Sequence, residues 1–130
     1  MKTMLSPEDW PRPKGYTNGI LTSGGNTIYV SGQIGWNAQQ KFESSDFVAQ
    51  TTQALRNIKA VLKEADAGPE HIVRMIWYIT DKPAYLESQA KIGAAYREVM
   101  GKNFPTMSVV EVVALVEDQA KVEIEVTAVI

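Results

Sequence analysis

Eight consecutive residues, Ile72-Val73-Arg74-Met75-Ile76-Trp77-Tyr78-Ile79, are apolar at both parities, with one charge among them. Successive side chains of a strand point to opposite faces, so this segment needs cover on both sides. A small two-layer domain covers one side with its own helices. The other side calls for a second molecule or a second sheet. No other feature of the chain restricts its architecture as much.

The rest of the sequence supplies the partners of that strand. Ile20–Thr22 and Thr27–Ser31 are β-prone runs around Ser23-Gly24-Gly25-Asn26, which predicts a hairpin. Ser44-Ser45-Asp46 offers N-caps for a helix whose apolar stripe is Val48, Thr51, Leu55, Ile58, Leu62 and Ala65, closed by Gly68-Pro69. After strand 72–79, Asp81 caps a second helix. Pro83 lies in its first turn, Leu86, Ala90, Gly93 and Tyr96 run along one face, and Gly101 ends it. Strands Thr106–Val113 and Lys121–Ile130, joined by the polar Glu117-Asp118-Gln119, complete the order β-β-α-β-α-β-β. In the last strand Val122, Ile124, Val126, Ala128 and Ile130 alternate with Lys121, Glu123, Glu125 and Thr127, the signature of one buried face. Residues 1–14, with Pro7, Pro11 and Pro13 around Trp10, are expected to form an irregular lead-in. The whole, 1–130, reads as one α+β domain: a mixed sheet with two helices on one face.

Composition removes several chemistries. The chain has no cysteine and one histidine, which leaves no thiol nucleophile, disulfide or cysteinyl zinc and no multi-histidine metal set. Thirteen basic against fifteen acidic residues give a net charge of −2, and the pI is near 5.4, a poor balance for gripping phosphates, so no nucleic-acid partner is expected. No run approaches the length of a membrane span and the start lacks an apolar signal region, so no membrane partner and a cytoplasmic address are expected.

What remains are scattered candidates. His71, after Gly68-Pro69-Glu70, reads as a loop-end histidine. Ser31, in Tyr29-Val30-Ser31-Gly32-Gln33, lacks a nucleophile elbow because Tyr29 occupies the first glycine position; it reads as a hydroxyl that hydrogen-bonds a ligand or a strand. Glu111, Glu123 and Glu125 lie in the last two strands between apolar neighbours; such carboxylates either sit on a solvated face or hold a water or a proton. Trp77 reads as core, whereas Trp10 and Trp36 lie in irregular segments, where large aromatics line pockets and interfaces.

Several ordered segments resemble a known family: Gly15-Tyr16-Thr17, Asn26–Ile34, Gln50–Leu62, Val73-Arg74 to Thr80-Asp81, Phe104-Pro105, Val109–Val113 and Val122-Glu123-Ile124-Glu125. From about Tyr16 to Val129 the chain is similar to the RidA/YjgF reactive-intermediate (enamine/imine) deaminases, also labelled L-PSP endoribonucleases. The resemblance implies a chorismate-mutase-like fold assembled as a homotrimer around a central barrel, with metabolite clefts between subunits. It also implies hydrolysis of the C=N bond of 2-imino acids without metal or organic cofactor. It matches Tyr16 to the residue closing the cleft, Ser31 and Gly32 to the pair beside the ligand, Glu123 to the glutamate near the water, and Val109 to a backbone position facing the reactive end. Two positions depart. Met107 stands where the resemblance expects the arginine that grips the substrate carboxylate, and Gly93 where it expects an asparagine. Without that fork, the resemblance implies a different enamine or imine, of the aminomuconate type for example, with Trp36 as an added cleft aromatic and Arg12, Lys14 or Arg74 as substitute cations. A non-catalytic small-molecule-binding trimer is the alternative, and endoribonuclease activity ranks last.

Overall fold

The computed structural model describes all 130 residues. The last strand to be made is the key to the sheet: β6 (Val122–Val129) lies between β3 (Thr27–Ile34) and β4 (Ile72–Ile79), antiparallel to both. β5 (Thr106–Glu111) pairs parallel to β4, so the order is β3-β6-β4-β5 and the sheet is mixed. The polar segment before β6 is thus a crossover rather than a hairpin turn.

The alternation expected over Lys121–Ile130 holds within β6, but Ile130, expected on the buried face, lies beyond the strand and is exposed. Val122, Ile124, Val126 and Ala128 are buried against the helices, and Glu123, Glu125 and Thr127 are half-buried on the other face. In β4, Ile72, Met75, Trp77 and Ile79 join the core, while Ile76 and Tyr78 lie half-buried on the face away from the helices. One side of this strand is therefore covered within the chain. The other awaits cover.

α1 (Phe47–Lys63) starts at Asp46, whose carboxylate accepts from the Ala49 N–H at 2.9 Å. It packs Leu55, Ile58 and Leu62 on the sheet and ends at Lys63, before Gly68-Pro69, because Asp66 takes a left-handed φ of 53°. The helix expected after Asp81 is two helices, α2 (Lys82–Glu87) and α3 (Gln89–Met100), so three helices lie on this face and not two. Ser88 leaves the helical region (φ −103°, ψ 12°) and separates the two. The expected single stripe is broken with it: Leu86 and Ala90 are exposed, and Ile92, Tyr96, Val99 and Met100 carry the packing.

Two further expectations fail at the N-terminus. Lys2–Leu5, inside the expected irregular lead-in 1–14, forms β1, which pairs antiparallel with β2 (Gly19–Thr22). Four residues show too few periods to announce a strand, and only their partner, fourteen residues on, makes them one. The hairpin between β2 and β3 is absent. Gly24 and Gly25 both take positive φ and swing the chain from one sheet into the other, leaving β1–β2 as a separate ribbon.

One buried amide ties the layers together. Gln50, 1% exposed, donates from Nε2 to the carbonyls of Ser44 (3.1 Å) and Gln119 (3.0 Å), and its Oε1 accepts from the Lys121 N–H (2.8 Å). Gly35 lies against the same residue. A Cβ there would stand 2.5 Å from Gln50 Cβ and 2.6 Å from its Cα, with no flexible tip to yield. Gly35→Ala should therefore destabilise the fold by about 1–3 kcal/mol or more, the usual cost of overpacking, in urea unfolding at fixed protein concentration. Gln50→Leu should cost about 1–3 kcal/mol for each group it strands. An unchanged midpoint in both would show that α1 and the strand can separate freely.

Candidate functional site

At the β5 edge the parallel register sets Met107 beside Met75 and Val109 beside Trp77, so both point toward the helices. Between β5 and helices α2 and α3 lies a cavity of about 350 Å³ with Met107, Val109, Gly93 and Tyr16 in its wall. Tyr16 is held there by its neighbour: the Thr17 N–H donates to the Pro105 carbonyl at 3.0 Å, and its hydroxyl donates to the Phe104 carbonyl. Gly15, at φ +78°, makes the turn that brings Lys14 to the same rim.

The remaining wall is aromatic. Tyr96 stacks on Phe104 (5.6 Å, 17°), and Trp77 meets Tyr85 edge-on (6.4 Å, 81°). Burial pushes the Tyr96 phenol well above its ordinary pKa, so it stays a neutral donor to the Asn103 carbonyl. Trp77 is core, as expected, and cavity wall at once; its indole N–H is the buried side-chain polar group without a partner. Gln89 and Arg97 also reach the cavity, and sequence reasoning missed both. Their signal was a spacing of four (Tyr85, Gln89, Gly93, Arg97), passed over because the expected helix face was taken through Leu86, Ala90, Gly93 and Tyr96. Gly93 makes room for Arg97, whose Nη1 lies 3.3 Å from where a Cβ would be. Neither Lys14 nor Arg97 is in an ion pair.

A second group forms at the β3 edge. Between Val30 and Gln33 the register slips by one residue opposite β6, which makes Ser31-Gly32 a bulge. There Glu123 comes so close that a Cβ on Gly32 would stand 2.4 Å from its Oε2. The three strand carboxylates separate by their partners. Glu111 accepts from the Lys82 N–H at 2.7 Å and caps α2, while Glu125 accepts from the Tyr78 hydroxyl at 2.5 Å. That bond, reinforced by the charges of Glu125 and Glu123 and opposed by Arg74, raises the Tyr78 pKa. The Glu123 carboxylate makes no hydrogen bond within the chain, and neither does the Ser31 hydroxyl. Trp36 lies beyond β3, packed on Phe42 (5.9 Å), and does not reach the cavity beside Met107. His71 closes a turn, its Nδ1 accepting from the Gly68 N–H at 3.0 Å. Arg12 and Arg74 also lie outside that cavity, and Arg74 lines a smaller one with Thr17 and Ser108. No three His, Asp or Glu side chains converge as a metal set, and no helix is long and apolar enough to cross a membrane.

The two groups are separated: Ser31 and Gly32 lie on the sheet edge opposite β5, and Glu123, on the inner strand β6, lies on the sheet face away from the helices, whereas Met107 and Val109 face them. With β6 and β4 between them, β3 and β5 are about 14 Å apart at ordinary strand spacing. Within one chain they cannot grip one small molecule.

Fold and site together define an α+β domain with a metabolite-sized aromatic cleft at one sheet edge and, on the opposite sheet face, a carboxylate beside the bulge of the other edge strand. The model of the endoribonuclease L-PSP family matches residues 11–130, and the chain belongs to that family, which includes the RidA and RutC proteins. It is 33% identical to the 2-iminobutanoate/2-iminopropanoate deaminase of Escherichia coli, over 99% of this chain and 98% of that protein. It is 34% identical to a RutC family protein of Pyrococcus abyssi, over 90% and 89% of the two chains. Among solved structures, the Rid family protein YyfB of Yersinia pestis superposes with a TM-score of 0.87 at 31% identity, covering 99% of this chain and 98% of that one. YyfA of the same organism superposes at 0.69 with 32% identity, each chain covered in full.

Proposed function

We propose that this protein hydrolyses the carbon–nitrogen bond of an imine, or of an enamine through its imine tautomer, other than the small 2-imino acids, in clefts formed between the subunits of a homotrimer. The observation that carries this reading is the separation of the two half-sites. Tyr16, Met107 and Val109 at the β5 edge need Ser31 and Gly32 of another copy's β3 and Glu123 of its β6 to complete a site. The half-buried face of β4 and β6 is the surface such an assembly would cover.

The chemistry asks for water, a group that takes its proton, and a means of holding the substrate. Water adds to the imine carbon, its oxygen forming the new C–O bond as the C=N π pair moves to nitrogen. Glu123 accepts the proton from that water and returns it to nitrogen, and collapse of the carbinolamine releases ammonia and leaves a carbonyl. Glu123 is free for this because Glu111 and Glu125 are engaged elsewhere. Met107 cannot pair with a carboxylate, so a substrate anion would be met by Lys14 and Arg97 at the rim, with the apolar body against Met107 and the aromatic wall. That geometry favours an extended, unsaturated acid over 2-iminopropionate. A non-catalytic binder of the same ligands is the second reading, favoured by the absence of any carboxylate or histidine on the cavity wall at Met107.

Ribonucleolytic cleavage has no support in this site: the one histidine holds a turn and the net charge is −2. An ammonia-release assay over a panel of imines tests the proposal. We expect release from extended unsaturated substrates and almost none from 2-iminopropionate; tight binding without release across the panel would leave the binder.

A further inference from the structure

The β1–β2 ribbon and strand β3 each carry an unpaired edge. β3 bonds only to β6, so eight residues, Thr27–Ile34, present an open row of backbone donors and acceptors with no lysine or proline to blunt it. β2 bonds only to β1. The ribbon exposes Met4, Leu5 and Leu21, and Tyr29 on β3 is 80% exposed. Between the two elements stand Gly24 and Gly25, both at positive φ.

We propose that the ribbon is an exchanged arm: β2 of one chain pairs antiparallel with the outer edge of β3 in a neighbouring copy. This rests on the intersubunit site proposed above and explains how its halves meet. A four-residue turn at Ser23–Asn26 would set Thr22 opposite Thr27, hence Ile20 opposite Tyr29 and Thr17–Asn18 opposite Ser31–Gly32. In this chain Thr17 is fixed to Phe104 and Pro105, and Tyr16 stands beside Met107 at the far edge of the sheet from its own Ser31. Only a second copy's Ser31–Gly32 can lie opposite Thr17–Asn18 while those contacts persist. The same pairing that closes both edges therefore brings Ser31, Gly32 and Glu123 of one copy to Tyr16 and Met107 of another. Exchange of an identical element is an inexpensive route to assembly, and a short glycine hinge permits it.

The chain has no cysteine, so introduced pairs report cleanly. Residues directly opposite in antiparallel strands bring their Cβ atoms within reach of a disulfide. Ile20→Cys with Tyr29→Cys, and independently Thr22→Cys with Thr27→Cys in case the first pair disturbs folding, are oxidised and run on non-reducing gels beside light scattering of the same samples. Exchange predicts disulfide-linked dimers and trimers. A trimer whose disulfides stay within single chains, or fail to form in both pairs, overturns the exchange and leaves the intersubunit site standing. A wild-type monomer at micromolar concentration overturns both.

Discussion

Glu123→Gln should lower the rate of ammonia release by about a hundred-fold or more, with assembly state and melting temperature unchanged. The amide still accepts a hydrogen bond from water through its oxygen, but it cannot take the proton. It is nearly the same size, so the tight approach to Gly32 is preserved. Stability should be spared because the Glu123 carboxylate makes no hydrogen bond within the chain that the change would strand. Neither Glu111→Gln, which touches a helix cap, nor Glu125→Gln, which touches the Tyr78 bond, should match the effect on rate. A full rate in Glu123→Gln would make this carboxylate structural and move the chemistry to backbone groups near Val109.

Met107→Arg should raise turnover of 2-iminopropionate by about ten- to a hundred-fold, the range corresponding to one charge-assisted hydrogen-bonded pair of about 1.5–3 kcal/mol. Met107 is half-buried on the cavity wall, so a guanidinium there would meet a small substrate's carboxylate in a partly dry site. The gain should appear mainly as a lower KM if the fork only binds, and in kcat as well if it also orients the C=N carbon. The same variant should lose turnover of the extended substrate, whose apolar body would have rested on methionine. Wild-type turnover of 2-iminopropionate equal to that of the Escherichia coli relative would show that Lys14 and Arg97 already do the arginine's work.

The strands and helices that bury a face were readable because their periods are long enough to count. Val122 to Ala128 and Leu55 to Leu62 show the point. The break at Ser88 was not, since nothing in Leu86-Glu87-Ser88-Gln89 forbids helix. β1 was illegible for a different reason. A four-residue strand exists by virtue of its partner, and its partner's other neighbour was wrongly taken to be β3. For the site, the resemblance supplied Tyr16, Met107, Val109, Ser31, Gly32 and Glu123, and the structure sorted them into two groups. Periodicity says which face a side chain occupies and is silent on how far apart two strands lie in a sheet. That distance depends on strand order, which here is not the order of the sequence.

The buried amide of Gln50 bears on Glu123 without touching it. Strands repeat every two residues, so a slip of one would turn Glu123 into the core and put Ile124 on the open face. Gln50 grips the Lys121 N–H and the Gln119 carbonyl just before β6 begins, and so works as an index mark that sets the strand's phase. Length changes between Val112 and Asp118 are absorbed upstream of that mark. Relatives should therefore vary freely there in loop length while their glutamate keeps its address.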